Sequence, residues 1–223
     1  MNETNAADCL AFRPFAERDF EPLSELMAET WLADCPARAA SVAAQVELCE
    51  YAAETTWGCV CERPSDNTLL GAILIAEKDQ EATGAESWSA RGDELLVEAE
   101  GNVTIAEAIR AEMGVVRVEE SLAAEYCASG EPESEAAIKL LIVSAAARGM
   151  GLGRKLVDAA RAHLRECGAQ GFYLLTDDSC DVSFYDHMGL RRAMSRRLAP
   201  PSQGQGEACT SEGFSIYVYA ERL

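Results

Sequence analysis

From Ala136 to Thr176 the chain passes through an apolar stretch, a glycine turn, an amphipathic helical pattern and a second apolar stretch. Ala136 to Ser144 is short and almost continuously apolar, which reads as a buried strand. Leu152 to Cys167 places Leu152, Leu156, Ala160 and Leu164 on one stripe, and Gly168 stands where a helix C-cap belongs. Gly171 to Thr176 is the next buried strand. Strand, helix, strand in this order implies a right-handed parallel crossover, so the chain is committed to an α/β sheet. Between the first strand and the helix lies Arg148-Gly149-Met150-Gly151-Leu152-Gly153-Arg154. Glycines let the main chain approach a ligand without Cβ atoms in the way, and the N–H groups that open a helix have no partner inside it. Such a turn suits an anion, a diphosphate above all.

The remaining chain supplies elements around this unit. Leu10 to Phe15 reads as a strand, Asp19 as an N-cap, and Leu23, Leu26, Met27 and Trp31 as the buried stripe of a helix. A second helix is expected from about Ala37 to Ala53. Trp57 to Cys61 and Leu69 to Ala76 read as strands joined by the turn Arg63-Pro64-Ser65-Asp66-Asn67. Asp181 to Met188 forms a short helix ending at Gly189. Leu190 to Leu198 and Phe214 to Ala220 close the sheet, separated by a flexible Pro200–Gly206 link. The expected architecture is a single domain over 1–223 with a mixed, mostly antiparallel sheet of six or seven strands.

One segment breaks the pattern. Between about residues 80 and 135 there are 14 Asp/Glu against three Arg (Arg91, Arg110, Arg117). Helical patterns near Asp93–Ala99, Thr104–Glu112 and Val118–Tyr126 make it a mostly helical acidic insertion, since a structureless stretch of that length is uncommon in a compact domain. A solvated decoration and a substrate-facing lid are both open readings.

Charge and cysteine usage narrow the function. A net charge of −19 argues against nucleic acid and anionic membrane as partners and is compatible with a cationic substrate. There is no apolar run near the length of a spanning helix, and Met1 to Ala11 lacks the layout of a secretory signal, so a cytoplasmic address is expected. The nine cysteines are odd in number and show no Cys-x-x-Cys, while His163 and His187 stand in no zinc-like array. Reduced, mostly buried thiols and no metal are expected.

Three phosphate-binding motifs compete for the turn. A dinucleotide fingerprint needs Gly-x-Gly-x-x-Gly, whereas here the spacing is Gly149-x-Gly151-x-Gly153, although Asp177 stands roughly where a ribose-binding acid belongs. A nucleoside-triphosphate loop needs Gly-Lys-Ser/Thr, and Gly153-Arg154-Lys155-Leu156 lacks the metal-binding hydroxyl. The third fits: Arg148-x-x-Gly151-x-Gly153 after an apolar strand resembles the acyl-CoA-binding motif of the GNAT superfamily of N-acetyltransferases. Ser183-Phe184-Tyr185-Asp186-His187-Met188-Gly189-Leu190 resembles that family's Tyr-x-x-x-Gly-Phe signature, with Leu190 in place of Phe. The resemblance is strongest from Ala136 to Leu198, and the acidic insertion matches nothing general in the family.

What the resemblance implies is specific. Main-chain amides of Arg148, Gly149, Met150, Gly151, Leu152, Gly153 and Arg154 would bind the diphosphate of acetyl-CoA, helped by the helix dipole. The pantetheine arm would pair with Leu141, Ile142 and Val143, and the N–H of Ile142 or Val143 would polarise the thioester carbonyl. Tyr185 would be the general acid, because a phenol stays protonated at neutral pH and can donate to the departing thiolate. The base is less determined. Ala137 replaces the glutamate many members carry, Ala145 replaces a frequent proline, and Glu135, two residues before Ala137 on the same strand face, is the substitute expected. Asp177 and Asp178 are further candidates. The acceptor implied is a primary amine, cationic, on a small molecule or peptide; oligomeric state is unreadable, a homodimer being compatible. Two rivals remain open: an acyl-CoA-binding sensor of the same fold, and a nucleotide-dependent oxidoreductase.

Overall fold

The computed structural model describes residues 10–198 and 214–223. Its strands are β1 (Ala11–Pro14), β2 (Trp57–Arg63), β3 (Thr68–Glu77), β4 (Ala136–Val143), β5 (Gly171–Asp177), β6 (Arg191–Arg197) and β7 (Ser215–Arg222). Its helices are α1 (Phe20–Trp31), α2 (Ala37–Glu54), α3 (Ala85–Ala99), α4 (Val103–Ala128), α5 (Leu152–Cys167) and α6 (Val182–His187). The strand order in the sheet is β1-β2-β3-β4-β5-β7-β6. The β1–β2, β2–β3, β5–β7 and β6–β7 pairs are antiparallel. This is the mixed, mostly antiparallel α/β sheet expected from the sequence. The Pro200–Gly206 link, Cys9 and Cys209 lie outside the described residues.

Two compact units divide the chain: residues up to Val115 with Ile138–His163, and Val116–Ala137 with Leu164 onward. In the first, Phe20, Leu23 and Met27 of α1, Leu48 of α2, and Ile73, Leu74 and Ile75 of β3 are buried with Leu152 and Leu156 of α5. Asp19 precedes α1 as expected, but its carboxylate caps no amide of α1; it accepts the Ala16 N–H at 2.9 Å, at the head of the 3-10 turn before that helix. Arg13 on β1 donates to the same carboxylate through two bonds of 2.7 Å and also to Glu62 on β2. A buried carboxylate needs a compensating cation, and Arg13 supplies it while the Ala16 N–H remains bound.

The acidic segment is helical, and its two C-terminal patterns merge into one helix, α4. It is no solvated decoration. Trp88 of α3 stacks on Phe20 at 5.2 Å, and the Arg91 guanidinium lies 3.7 Å from the centre of the same ring. Gly92 lets α3 approach α2, since a Cβ there would meet Cys49 at 3.3 Å. Ile105, Ile109, Met113 and Val116 form the buried stripe of α4 at helical spacing. The acid sits on the outward faces of helices whose inward faces belong to the core.

In the second unit Leu122 and Tyr126 of α4 pack with Tyr173 of β5 and with Ile216, Val218 and Ala220 of β7. The register sets Leu174 opposite Tyr219 and Thr176 opposite Tyr217. Seven described cysteines are free thiols, but only Cys49, Cys59 and Cys61 are buried, fewer than expected. Burial pushes the Cys49 and Cys61 thiols up to about 11, which keeps them unreactive at neutral pH.

Candidate functional site

In the first unit β4 ends at Val143, and the Ser144 N–H is held by the Leu70 carbonyl of β3 at 2.8 Å. Ala145–Ala147 make one 3-10 turn, Arg148 leaves it extended, and Gly149 and Gly151 adopt φ of +78° and +70°. Helix α5 then begins at Leu152. Only glycine takes two left-handed positions this close together without strain, and the alternation turns successive N–H groups toward one side. The amides of Arg148 and Met150 are spent on the carbonyls of Ala145 and Ala147, at 3.4 and 3.3 Å. They therefore drop out of the expected set of ligand amides, because the 3-10 turn claims them. The N–H groups of Gly149, Gly151, Leu152, Gly153 and Arg154 have no acceptor among the described residues.

This turn fits the diphosphate of an acyl-CoA on three observations. The five unmatched donors include the first three of α5, where the helix dipole favours an anion. Among the described residues nothing lies within 4 Å of where a Cβ on Gly149 or Gly151 would stand, so the approach to the main chain is open. The Ser144 Oγ is buried with no hydrogen-bond partner among the described residues. Arg148, Arg154 and Lys155 are exposed around the turn and give local positive charge to an acidic chain.

In the second unit Tyr185 lies on α6, half-buried, with its ring 5.3 Å from Phe184 and 5.3 Å from Tyr219. The spacing from tyrosine to glycine has a local cause. Gly189 at φ +84° donates to the Asp186 carbonyl and Leu190 donates to the Tyr185 carbonyl, which is the paired closure of a Schellman helix end. Leu190 is buried behind it. The helix is also tied to β7 and β6: the Tyr219 hydroxyl donates to Asp186 at 2.9 Å and accepts from Arg192 Nε at 2.9 Å. Arg192 and Tyr219 are directly opposite in the β6–β7 register. Burial, together with the charges of Cys180, Asp177 and Asp181, raises the Tyr185 phenol well above the ordinary tyrosine value. The phenol is therefore neutral at neutral and moderately alkaline pH.

Glu135 is placed elsewhere. The chain enters β4 only at Ala136, after a 3-10 turn over Pro132–Glu135, so the expected strand-face relation to Ala137 does not hold. Both carboxylate oxygens of Glu135 accept from Gln170, one from its backbone N–H at 2.7 Å and one from Nε2 at 2.8 Å. Gln170 immediately precedes β5, whereas Tyr185 sits by Thr176 and Asp177 at its other end. Six residues of strand separate those ends by about 20 Å. Asp178 has both oxygens engaged, by Tyr217 and by the Ser215 N–H, which hold it below the usual carboxylate range. Asp177 accepts from Ser179 through Oδ1, and among the described residues its Oδ2 has no hydrogen-bond donor. His187 is exposed, its Nδ1 2.6 Å from the Ser183 carbonyl of its own helix.

A profile of the acetyltransferase (GNAT) family matches residues 22–190. The chain belongs to the GNAT acetyltransferase family. Solved structures agree on the fold. The ribosomal-protein-S18-alanine N-acetyltransferase of Escherichia coli superposes with a TM-score of 0.54 at 10% identity, covering 96% of this chain and 94% of the other. Ard1 from Thermoplasma volcanium gives 0.53 at 16% identity, covering 96% and 97%. An IAA acetyltransferase from Bacillus cereus gives 0.51 at 10% identity, covering 96% and 100%. No curated protein sequence matches the chain.

In this GNAT chain sequence reasoning passed over Gly71, which carries no motif. A Cβ there would stand 2.7 Å from the Ile142 carbonyl and 3.3 Å from Leu152 and Leu156. Gly71 thus lets β3 touch both the strand that enters the turn and the helix that leaves it. Gly71→Ala is expected to displace the turn and to weaken acetyl-CoA binding by about tenfold, since such overpacking costs about 1–3 kcal/mol. Calorimetric titration checks this, and unchanged affinity would remove Gly71 from the support of the turn.

Proposed function

We propose that this GNAT protein transfers an acetyl group from acetyl-CoA to a primary amine by direct attack in a ternary complex. The observation that carries the reading is the row of unmatched N–H groups at Gly149, Gly151, Leu152, Gly153 and Arg154. The thioester of acetyl-CoA supplies the activated acyl group. Those amides hold the diphosphate, and the Leu141–Val143 strand end orients the pantetheine arm. Tyr185 Oη gives its proton to the departing sulfur. Asp177 replaces Glu135 as the carboxylate that accepts the amine's proton, directly or through water, because Glu135 and Asp178 are both fully engaged. Fixing the two reactants together supplies the larger part of the acceleration, as much as about 7–11 kcal/mol in well-oriented systems.

The acceptor is a cationic amine on a small molecule or a peptide. Asp177, Asp181 and Asp186 surround Tyr185 in sequence, and the whole chain carries −19, which favours approach of a positive acceptor. Nucleic acid and anionic lipid are disfavoured by the same charge. No described helix is long and apolar enough to cross a membrane.

Free thiol appearing from acetyl-CoA in the presence of polyamines, aminoglycosides, amino acids and lysine-bearing peptides tests the reading. Amine-dependent release by at least one of them is expected. Thermal stabilisation by acetyl-CoA with no amine-dependent release would favour the acyl-CoA sensor, in which the turn binds and no base operates.

A further inference from the structure

Thr176 is 4% exposed, and its Oγ1 has no hydrogen-bond partner among the described residues. A hydroxyl buried without a partner is unfavourable, and valine would fill the same strand position without that penalty. The register explains where this hydroxyl stands. Thr176 opposes Tyr217 and Leu174 opposes Tyr219, so these four side chains share one face of β5 and β7. The Tyr185 ring rests on Tyr219 on that face, 5.3 Å away. The Tyr217 hydroxyl is already given to Asp178, and the Tyr219 hydroxyl to Asp186. Among the described residues Thr176 thus carries an uncommitted hydroxyl beside the Tyr185 phenol. The other neighbours there, Cys180, Asp177 and Asp181, disfavour a negative phenolate, whereas the Thr176 hydroxyl favours it.

We propose that Thr176 is a positioning residue for Tyr185, its Oγ1–H donating to the phenol oxygen as that oxygen gives up its proton. This rests on the reading of Tyr185 as the general acid. In the step, the Tyr185 O–H bond breaks, an S–H bond forms on the departing thiolate, and the phenolate is left with a hydrogen bond from Thr176. The surplus proton of the newly acylated nitrogen restores the phenol through the base and solvent, so no further reactant is needed. A hydrogen bond made only to the charged form favours that form, which is the sense required.

The test uses Thr176→Val, Thr176→Ser and Tyr185→Phe, alone and combined, in the full chain. Thr176→Val is expected to lower kcat about tenfold with KM for acetyl-CoA within about twofold, whereas Thr176→Ser keeps most of the activity. In the Tyr185→Phe background Thr176→Val adds no further loss. Equal losses in both backgrounds, or a Thr176→Val variant as active as wild type, would overturn the proposal. A readout free of any acceptor separates the two layers. With 3,5-difluorotyrosine placed at 185, fluorine NMR follows its ionisation, and Thr176→Val is expected to raise the midpoint by about one unit. An unmoved midpoint overturns the Thr176 contact. A raised midpoint alongside a fully active Tyr185→Phe would instead uphold the contact and sink the general-acid reading.

Discussion

Gly151→Val is expected to weaken acetyl-CoA binding by about 5- to 150-fold while leaving the thermal midpoint of the free protein within a few degrees. Gly151 sits at φ +70°, and a β-branched residue there carries about 1–3 kcal/mol of strain. Gly149, Met150 and Gly151 are exposed, and among the described residues nothing lies within 4 Å of a Cβ at either glycine. The turn is therefore free to relax in the empty protein without disturbing the core, and the strain returns only when the amides must line up on a ligand. At about 1.4 kcal/mol per factor of ten, the strain appears as affinity. Titration calorimetry against acetyl-CoA, paired with a thermal melt of the free variant, checks both halves. A large fall in the melt with unchanged affinity would mean that the turn serves the fold and not the ligand.

Tyr185→Phe is expected to slow turnover by about 10²–10⁴-fold at unchanged acetyl-CoA affinity. The substitution removes one oxygen and leaves the ring contacts with Phe184 and Tyr219 in place. The Schellman closure at Gly189 and Leu190 uses only main chain, so the end of α6 is preserved. Because burial and the nearby acids raise the phenol far above its ordinary value, deprotonation of Tyr185 should produce no falling limb in the pH–rate profile of the wild type below about pH 10. Steady-state kinetics with any acceptor found in the amine survey measures the kcat loss and the pH profile together. Full activity of the phenylalanine variant would remove Tyr185 from the chemistry.

The parts of this protein that were legible in its sequence are those fixed by neighbours along the chain. The strand, turn and helix from Ala136 to Cys167 fall where periodicity and Gly168 place them, because burial of one stripe and a left-handed C-cap are local requirements. The short helix that carries Tyr185 and closes at Gly189 is legible for the same reason, since its end is a local requirement. Long-range partners were not. Asp19 reads as a cap until Arg13 and Glu62 are brought beside it by strand pairing. Glu135 reads as a strand residue until the 3-10 turn and Gln170 claim it. The cluster of Arg192, Tyr219 and Asp186, and the open hydroxyl of Thr176, depend on a cross-strand register that no single segment encodes. The acidic segment was legible as helices, but its attachment to Phe20 through Trp88 and Arg91 appears only in three dimensions.

The central claim is that the amides after β4 are left unpaired to grip a diphosphate. Amide NMR of nitrogen-labelled protein, titrated with acetyl-CoA, tests it most directly. The account predicts that the N–H signals of Gly149, Gly151, Leu152, Gly153 and Arg154 shift further than any others in the turn, while those of Arg148 and Met150, already held by carbonyls, move little. Saturable binding that leaves those five signals in place would contradict it.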